Sequence, residues 1–161
     1  MKKSIGALLM AISGVLGGVA GAGAVQLNFK KKSEYYEKRI EKFESYFDLT
    51  NEWIRLKNEG KSLSDYFEKN NWHHIAIYGM GELGNRLAEE LRESGVEIEY
   101  AIDQYVDRVN SEVDVRDFSS GLPEVDVIVI TPFYAYDSVE KKLMSMVDYP
   151  IVSIEDVVYN S

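Results

Sequence analysis

The sequence predicts an α/β fold: a small parallel sheet preceded by a long helical region. Three observations carry that expectation. Short apolar runs at 74–78, 96–102, 125–131 and 149–153 alternate with helical patterns at 82–93 and 137–146. Strands that alternate with helices imply parallel pairing through right-handed crossovers. The run Val125-Asp126-Val127-Ile128-Val129-Ile130-Thr131 is nearly all β-branched, the composition of a strand covered on both faces. A glycine-rich hexapeptide joins the first strand to the first helix of this region.

The chain has 161 residues, 45% of them apolar, enough for one modest domain with a real core and not for two. Its formal net charge is −9, which argues against nucleic-acid binding, because phosphate neutralisation needs clustered Lys and Arg. There is no cysteine, so disulfides, thiolate metal sites and a cysteine nucleophile are excluded.

From the amino end, residues 4–29 carry no charge, and the stretch 5–27 is the most apolar. As a helix it would reach roughly 34 Å, enough for a bilayer core of about 30 Å. Two readings compete. One is a single membrane span. The other is a cleaved signal peptide, with Lys2-Lys3 ahead and Ala22-Gly23-Ala24 as a small-x-small site. The span is favoured, because a signal core is usually about 7–15 residues long. Lys30, Lys31, Lys32, Lys38, Arg39 and Lys42 follow the run, which by the positive-inside rule puts the carboxyl-terminal part in the cytoplasm. Gly14 and Gly18, and again Gly17 and Gly21, have the spacing that lets two helices approach closely.

Residues 33–59 read as an amphipathic helix. Tyr36, Ile40, Phe43, Phe47, Thr50 and Ile54 step by four and three, a heptad-like seam widened by Tyr46 and Trp53. A dimerising stalk and a helix docked on the globular part fit this pattern equally. Gly60 ends it, and Ser62 opens a short helix over 63–69 in an approximate capping box with Asp65. Asn70-Asn71 breaks that helix. The expected organisation is an anchor at 1–29, a helical stalk at 30–71 and a globular domain at 72–161.

In that domain, 74–78 is the first strand and 82–93 a helix presenting Leu83, Leu87, Ala88 and Leu91, ended by Ser94-Gly95. Val113 to Val115 reads as a short edge strand. Val139, Leu143 and Met146 mark the inner face of the helix at 137–146. A final helical turn at 154–159 follows Ser153, with Glu155-Asp156 as an ordinary cap pair.

Gly79-Met80-Gly81-Glu82-Leu83-Gly84 is G-x-G-x-x-G, and the second strand ends in Asp103, 19 residues after Gly84. In this context the motif predicts a Rossmann-like nucleotide site. Gly79 serves the tight turn, Gly81 admits a pyrophosphate, and Gly84 lets the helix approach the strand. The N–H groups and dipole at the helix start favour an anion. Glu82 opposes it, since its own carboxylate sits at the same positive end. Asp103 would accept hydrogen bonds from ribose hydroxyls and repel a 2′-phosphate, which favours NAD or a nucleotide sugar over NADP. Thr131 and Tyr134 follow the most buried strand at the end where ligands dock in open α/β sheets, so they are further candidates for contact. A tight turn without a ligand is the competing reading.

Catalytic groups are missing. Tyr134 is followed four residues later by Ser138, and Tyr136 by Glu140, so the Tyr-x-x-x-Lys acid–base pair is absent. His73 and His74 fall at the start of the first strand, the wrong end for the crevice, and adjacent strand residues face opposite ways.

Residues 72–159 resemble the amino-terminal nucleotide-sugar-binding domain of bacterial sugar acetyltransferases and the carboxyl-terminal domain of some sugar C-methyltransferases. The matching pieces are Ile75-Ala76-Ile77-Tyr78-Gly79-Met80-Gly81, Tyr100-Ala101-Ile102-Asp103, Val125-Asp126-Val127-Ile128-Val129-Ile130 and Pro150-Ile151-Val152-Ser153-Ile154-Glu155-Asp156-Val157. Phe67-Glu68-Lys69-Asn70 also looks like the approach to such domains in surface-polysaccharide enzymes. The resemblance implies a nucleotide or nucleotide-sugar ligand, a link to cell-envelope glycan assembly and a polysaccharide-synthesis enzyme as partner. The transferase part is lacking. The leading expectation is therefore a membrane-tethered binding module without chemistry of its own, single-pass with its domain in the cytoplasm. Alternatives are a small NAD-dependent oxidoreductase or epimerase-like enzyme completed by oligomerisation, and an adaptor with a vestigial site. A homodimer through Gly14/Gly18 and the stripe from Tyr36 to Ile54 is part of the expectation.

Overall fold

The computed structural model describes residues 2–106, 113–119 and 121–161, with side chains from residue 29 onward. The chain forms two compact units, Met1–Tyr46 and Phe47–Ser161. The first is helical and belongs to α1, Lys2–Asn58. The apolar run at 5–27, with its glycine pairs, lies outside the residues whose side chains are described. Among the described residues, no helix is long and apolar enough to cross a membrane.

The second unit holds five parallel strands in the order β3-β2-β1-β4-β5. They are β1 His74–Tyr78, β2 Glu97–Ile102, β3 Val115–Arg116, β4 Val127–Ile130 and β5 Ile151–Ser153. Helix α3, Glu82–Leu91, joins β1 to β2, and α4, Tyr136–Leu143, joins β4 to β5. These two connections step outward from β1 and β4 in opposite directions. Right-handed crossovers therefore put α3 and α4 on opposite faces. Burial agrees. Val139 and Leu143 of α4 share one cluster with Ala76, Tyr100, Ile102, Ile128 and Ile130, and α3 contributes nothing to it. Both faces are covered, so β4 is buried along its whole length and reads as a continuous apolar run.

The elements are shorter than the sequence pattern suggests. Val125 and Asp126 lie before β4, because the Asp126 carboxylate is turned back on the amide groups of His73 and His74. The edge strand is shifted to Val115–Arg116, which continues the ladder beside Ala101 and Ile102. The α4 helix stops at Leu143, leaving Met146 exposed instead of inward. β5 starts only at Ile151.

The larger correction concerns α1. The seam residues Tyr36, Ile40, Phe43, Phe47 and Ile54 are exposed. Within the second unit the buried residues of this helix are Leu49, Trp53 and Leu56, on the neighbouring face. Trp53 thus belongs to the docked face instead of widening the seam. Glu90 of α3 fixes this docking: its carboxylate accepts from the Trp53 indole at 2.5 Å and the Leu63 N–H at 2.9 Å, with the Lys57 ammonium at 3.2 Å. The second unit consequently begins at Phe47 and takes in α2, Ser64–Lys69, with Leu63 and Phe67 buried. Ser62 accepts from the Ser64 N–H and Asp65 from the Ser62 N–H, but the N-cap is Leu63 and the Asp65 N–H goes to the Ser62 carbonyl, so the capping box the sequence suggests is not completed. Asn71, at φ 57°, ends the segment in the left-handed region that Asn tolerates. Ser153 and Asp156 form a complete capping box on α5, Ile154–Tyr159.

Candidate functional site

The strand order reverses between β1 and β4, and the carboxyl ends of these two strands define the crevice where open α/β sheets take ligands. Gly79 follows β1 and Thr131 follows β4, so the sequence-predicted residues Gly79, Thr131 and the loop between β1 and α3 meet at this point.

Two of the three glycines are required by the chain itself. Gly79 has φ +90°, and a Cβ there would stand 2.7 Å from Pro132 Cδ. At Gly84 a Cβ would lie 2.2 Å from the Gly79 carbonyl oxygen, a backbone atom that cannot swing aside. Gly84 is thus the contact that brings α3 against the loop. Gly81 differs. It is the N-cap of α3, with φ −77° and ψ −162°, a conformation open to any residue, and a Cβ would meet nothing within 4 Å. No side chain caps this end of α3. Glu82 is 90% exposed at its side chain and lies 3.9 Å from Arg86, so it points along the helix surface and not across the loop.

Thr131 is buried, and its hydroxyl lies 2.6 Å from the Gly79 carbonyl and 3.2 Å from that of Tyr78. Its proton is committed to holding the loop, a role that spacing alone does not reveal. Asp103 ends β2 beside the loop, as expected. Its Oδ2 accepts from the Met80 N–H at 3.0 Å and its Oδ1 from the Tyr105 N–H at 2.9 Å. Each carboxylate oxygen keeps further acceptor capacity. The Met80 amide is spoken for, and its side chain is buried with that of Leu83. Asn85 closes the loop from the helix side, donating from Nδ2 to the Met80 carbonyl at 3.2 Å.

Tyr134 lies on a short 3₁₀ turn, Phe133–Ala135, with Phe133 buried beneath it and Tyr134 itself exposed. Tyr78, which motif reading passes over as an ordinary strand residue, joins this group. It is half-buried, and burial, with Asp103 and then Tyr134 nearby, pushes its hydroxyl above the usual phenol range. Its position just before Gly79 is the only sequence signal that could have marked it. The edge thus offers an uncapped helix end, a carboxylate and two tyrosines: groups that bind and orient.

The two histidines lie at the opposite end, as their position predicts. His74 Nδ1 is 2.6 Å from Glu99 and 3.9 Å from Glu97. The β1–β2 pairing skips one residue between Ile98 and Tyr100, and this irregularity at Glu99 brings it beside His74. His74, Glu97 and Glu99 each offer a ligand atom within 4.8 Å of the others, all on exposed side chains. Glu99, followed by the neighbouring acids, holds the His74 imidazole above its ordinary range.

Comparison of the chain with known protein families, with curated proteins and with solved structures finds no match.

Proposed function

We propose that the carboxyl edge of the sheet binds the diphosphate and ribose of NAD or a nucleotide sugar, and that the protein acts as a binding module without autonomous catalysis. Gly81 carries this reading. Gly79 and Gly84 are explained by the chain's own packing, whereas Gly81 faces open space with an ordinary backbone conformation. A glycine there leaves the backbone open to a group from outside, and a pyrophosphate lying against the uncapped start of α3 suits it. Asp103 supplies the ribose acceptor and disfavours a 2′-phosphate. The tyrosines Tyr78 and Tyr134 border the same edge and suit the remainder of the ligand.

A membrane tether through residues 5–27, with the sheet domain on the cytoplasmic side, follows from the apolar run and the six basic residues after it. Cytoplasmic placement suits a nucleotide ligand. The quoted resemblance supports a role beside an enzyme of cell-surface polysaccharide synthesis. One observation favours a second reading, an adaptor with a vestigial site: the Thr131 hydroxyl and both Asp103 oxygens already have partners within the chain.

Thermal unfolding of the full-length chain with NAD, NADP or a UDP-sugar separates these readings. The binding module is stabilised by NAD or the UDP-sugar and less by NADP. An unfolding temperature unmoved by all three at millimolar concentration supports the adaptor.

A further inference from the structure

The exposed seam of α1 has a charge pattern that selects its partner. With Ile40 and Phe47 at a and Tyr36 and Phe43 at d, Phe29 falls at an earlier d position and Ile54 at a later a position. Phe29, Tyr36, Ile40, Phe43, Phe47 and Ile54 are all about half exposed or more, an apolar stripe interrupted at Ser33 and Thr50. Between residues 32 and 44 the residues flanking it are sorted by sign. Lys32 and Arg39 occupy successive g positions, and Glu37 and Glu44 occupy the e positions that follow them.

We infer that this stripe pairs with the same stripe of a second copy, as a parallel, in-register two-stranded coiled coil over about 29–47. The argument is charge complementarity. In a parallel pair each g residue faces the e residue five positions on in the partner, so Lys32 meets Glu37 and Arg39 meets Glu44, twice over by symmetry. In an antiparallel pair g faces g and e faces e, which sets cations against cations and carboxylates against carboxylates. Within one chain, Lys32 and Arg39 are turned onto aromatic rings: Lys32 lies 5.9 Å from the Tyr36 ring centroid, and Arg39 lies 5.7 Å from Tyr35 and 5.9 Å from Phe43. These long side chains can reach outward to a partner carboxylate while their stems still cover the seam. Beyond Phe47 the stripe meets the docked face, since Trp53 is a buried g position and Thr50 and Ile54 line a groove with Leu83, Arg86 and Glu90 of α3, so pairing stops before that groove. This inference stands apart from ligand binding and survives its failure.

The chain has no cysteine, so single cysteines report the pairing without background. Disulfides need Cα atoms within about 7 Å. In the full-length chain, Tyr36→Cys and Phe47→Cys are each expected to link to their own counterpart on mild oxidation, and Lys38→Cys, at an outward f position, is expected not to. Charge reversal sharpens the test. Glu37→Lys with Glu44→Lys, in either cysteine background, abolishes the self-link. Mixing that chain with one carrying Lys32→Glu and Arg39→Glu restores a link between the two. Four outcomes each overturn the inference: linkage that forms only when the Tyr36→Cys and Phe47→Cys chains are mixed, equal linkage at all three positions, absence of linkage, or linkage unchanged by the charge reversal.

Discussion

The two ends of the sheet use the same device for different purposes. At the amino end, Asp126 gathers the amide groups of His73 and His74 at 2.6 and 2.8 Å. At the carboxyl end, Asp103 gathers those of Met80 and Tyr105. In both places a carboxylate after or before a strand ties a neighbouring segment down. The amino end is crowded with charge: His74 pairs with Glu99 and lies near Glu97 in the open, beside the half-buried Asp126. The carboxyl end is less charged, but a helix starts there without a cap, behind a glycine that the fold does not require. Charged clusters therefore do not by themselves mark the site. The proposed site rests instead on the glycine at the strand-order reversal.

The largest effect is expected from Gly84→Ala. The added Cβ would collide with the Gly79 carbonyl, and α3 must shift to admit it, so chemical denaturation should show a loss of roughly 3 kcal/mol or more. A loss below about 1 kcal/mol would mean that the loop is not clamped against α3. Asp103→Ala comes next, because it strips an acceptor from an amide in the buried Met80 segment. About 1–3 kcal/mol is expected. Asp126→Ala should cost less, about 1 kcal/mol, since water can reach the exposed histidine segment. Equal or reversed losses from the two would break the contrast between the ends.

At the amino end, pH acts through two groups of opposite sign. The amides of His74 and His73 hold the Asp126 carboxyl below its ordinary range. Its contribution is complete above the unfolded pKa and fades as pH falls through the lower, folded one. His74 has the opposite sign. Raised by Glu99, its contribution is complete below the unfolded pKa and fades as pH rises through the folded one. Stability curves of wild type and His74→Asn should diverge below that window and converge above it, by a small amount because the pair is exposed. Divergence only at high pH would contradict the assignment.

The sheet was legible because strand runs covered on both faces have one composition, and because G-x-G-x-x-G followed by Asp103 fixes where β1 ends, α3 begins and β2 ends. The reversal between β1 and β4 was not spelled out by any residue; it follows from which crossovers the strands make. The jobs of Thr131 and Tyr78 were hidden for a related reason. Each depends on a neighbour about fifty residues away or on the adjoining strand, and local pattern carries no register. In α1 the periodicity identified the seam correctly as apolar, but two apolar faces share that helix. Only packing tells which one, Leu49-Trp53-Leu56, turns to the sheet domain.

The most direct test is calorimetric titration of NAD and a UDP-sugar into the full-length wild type and Gly81→Ala. The variant's Cβ enters open space, and the weaker N-cap should lower its unfolding free energy by only about 1 kcal/mol. The account predicts that wild type binds at least one of these ligands, and that Gly81→Ala, still folded, binds it at least about tenfold more weakly, a difference of about 1.4 kcal/mol. Equal binding by both chains, or binding by neither, would contradict it.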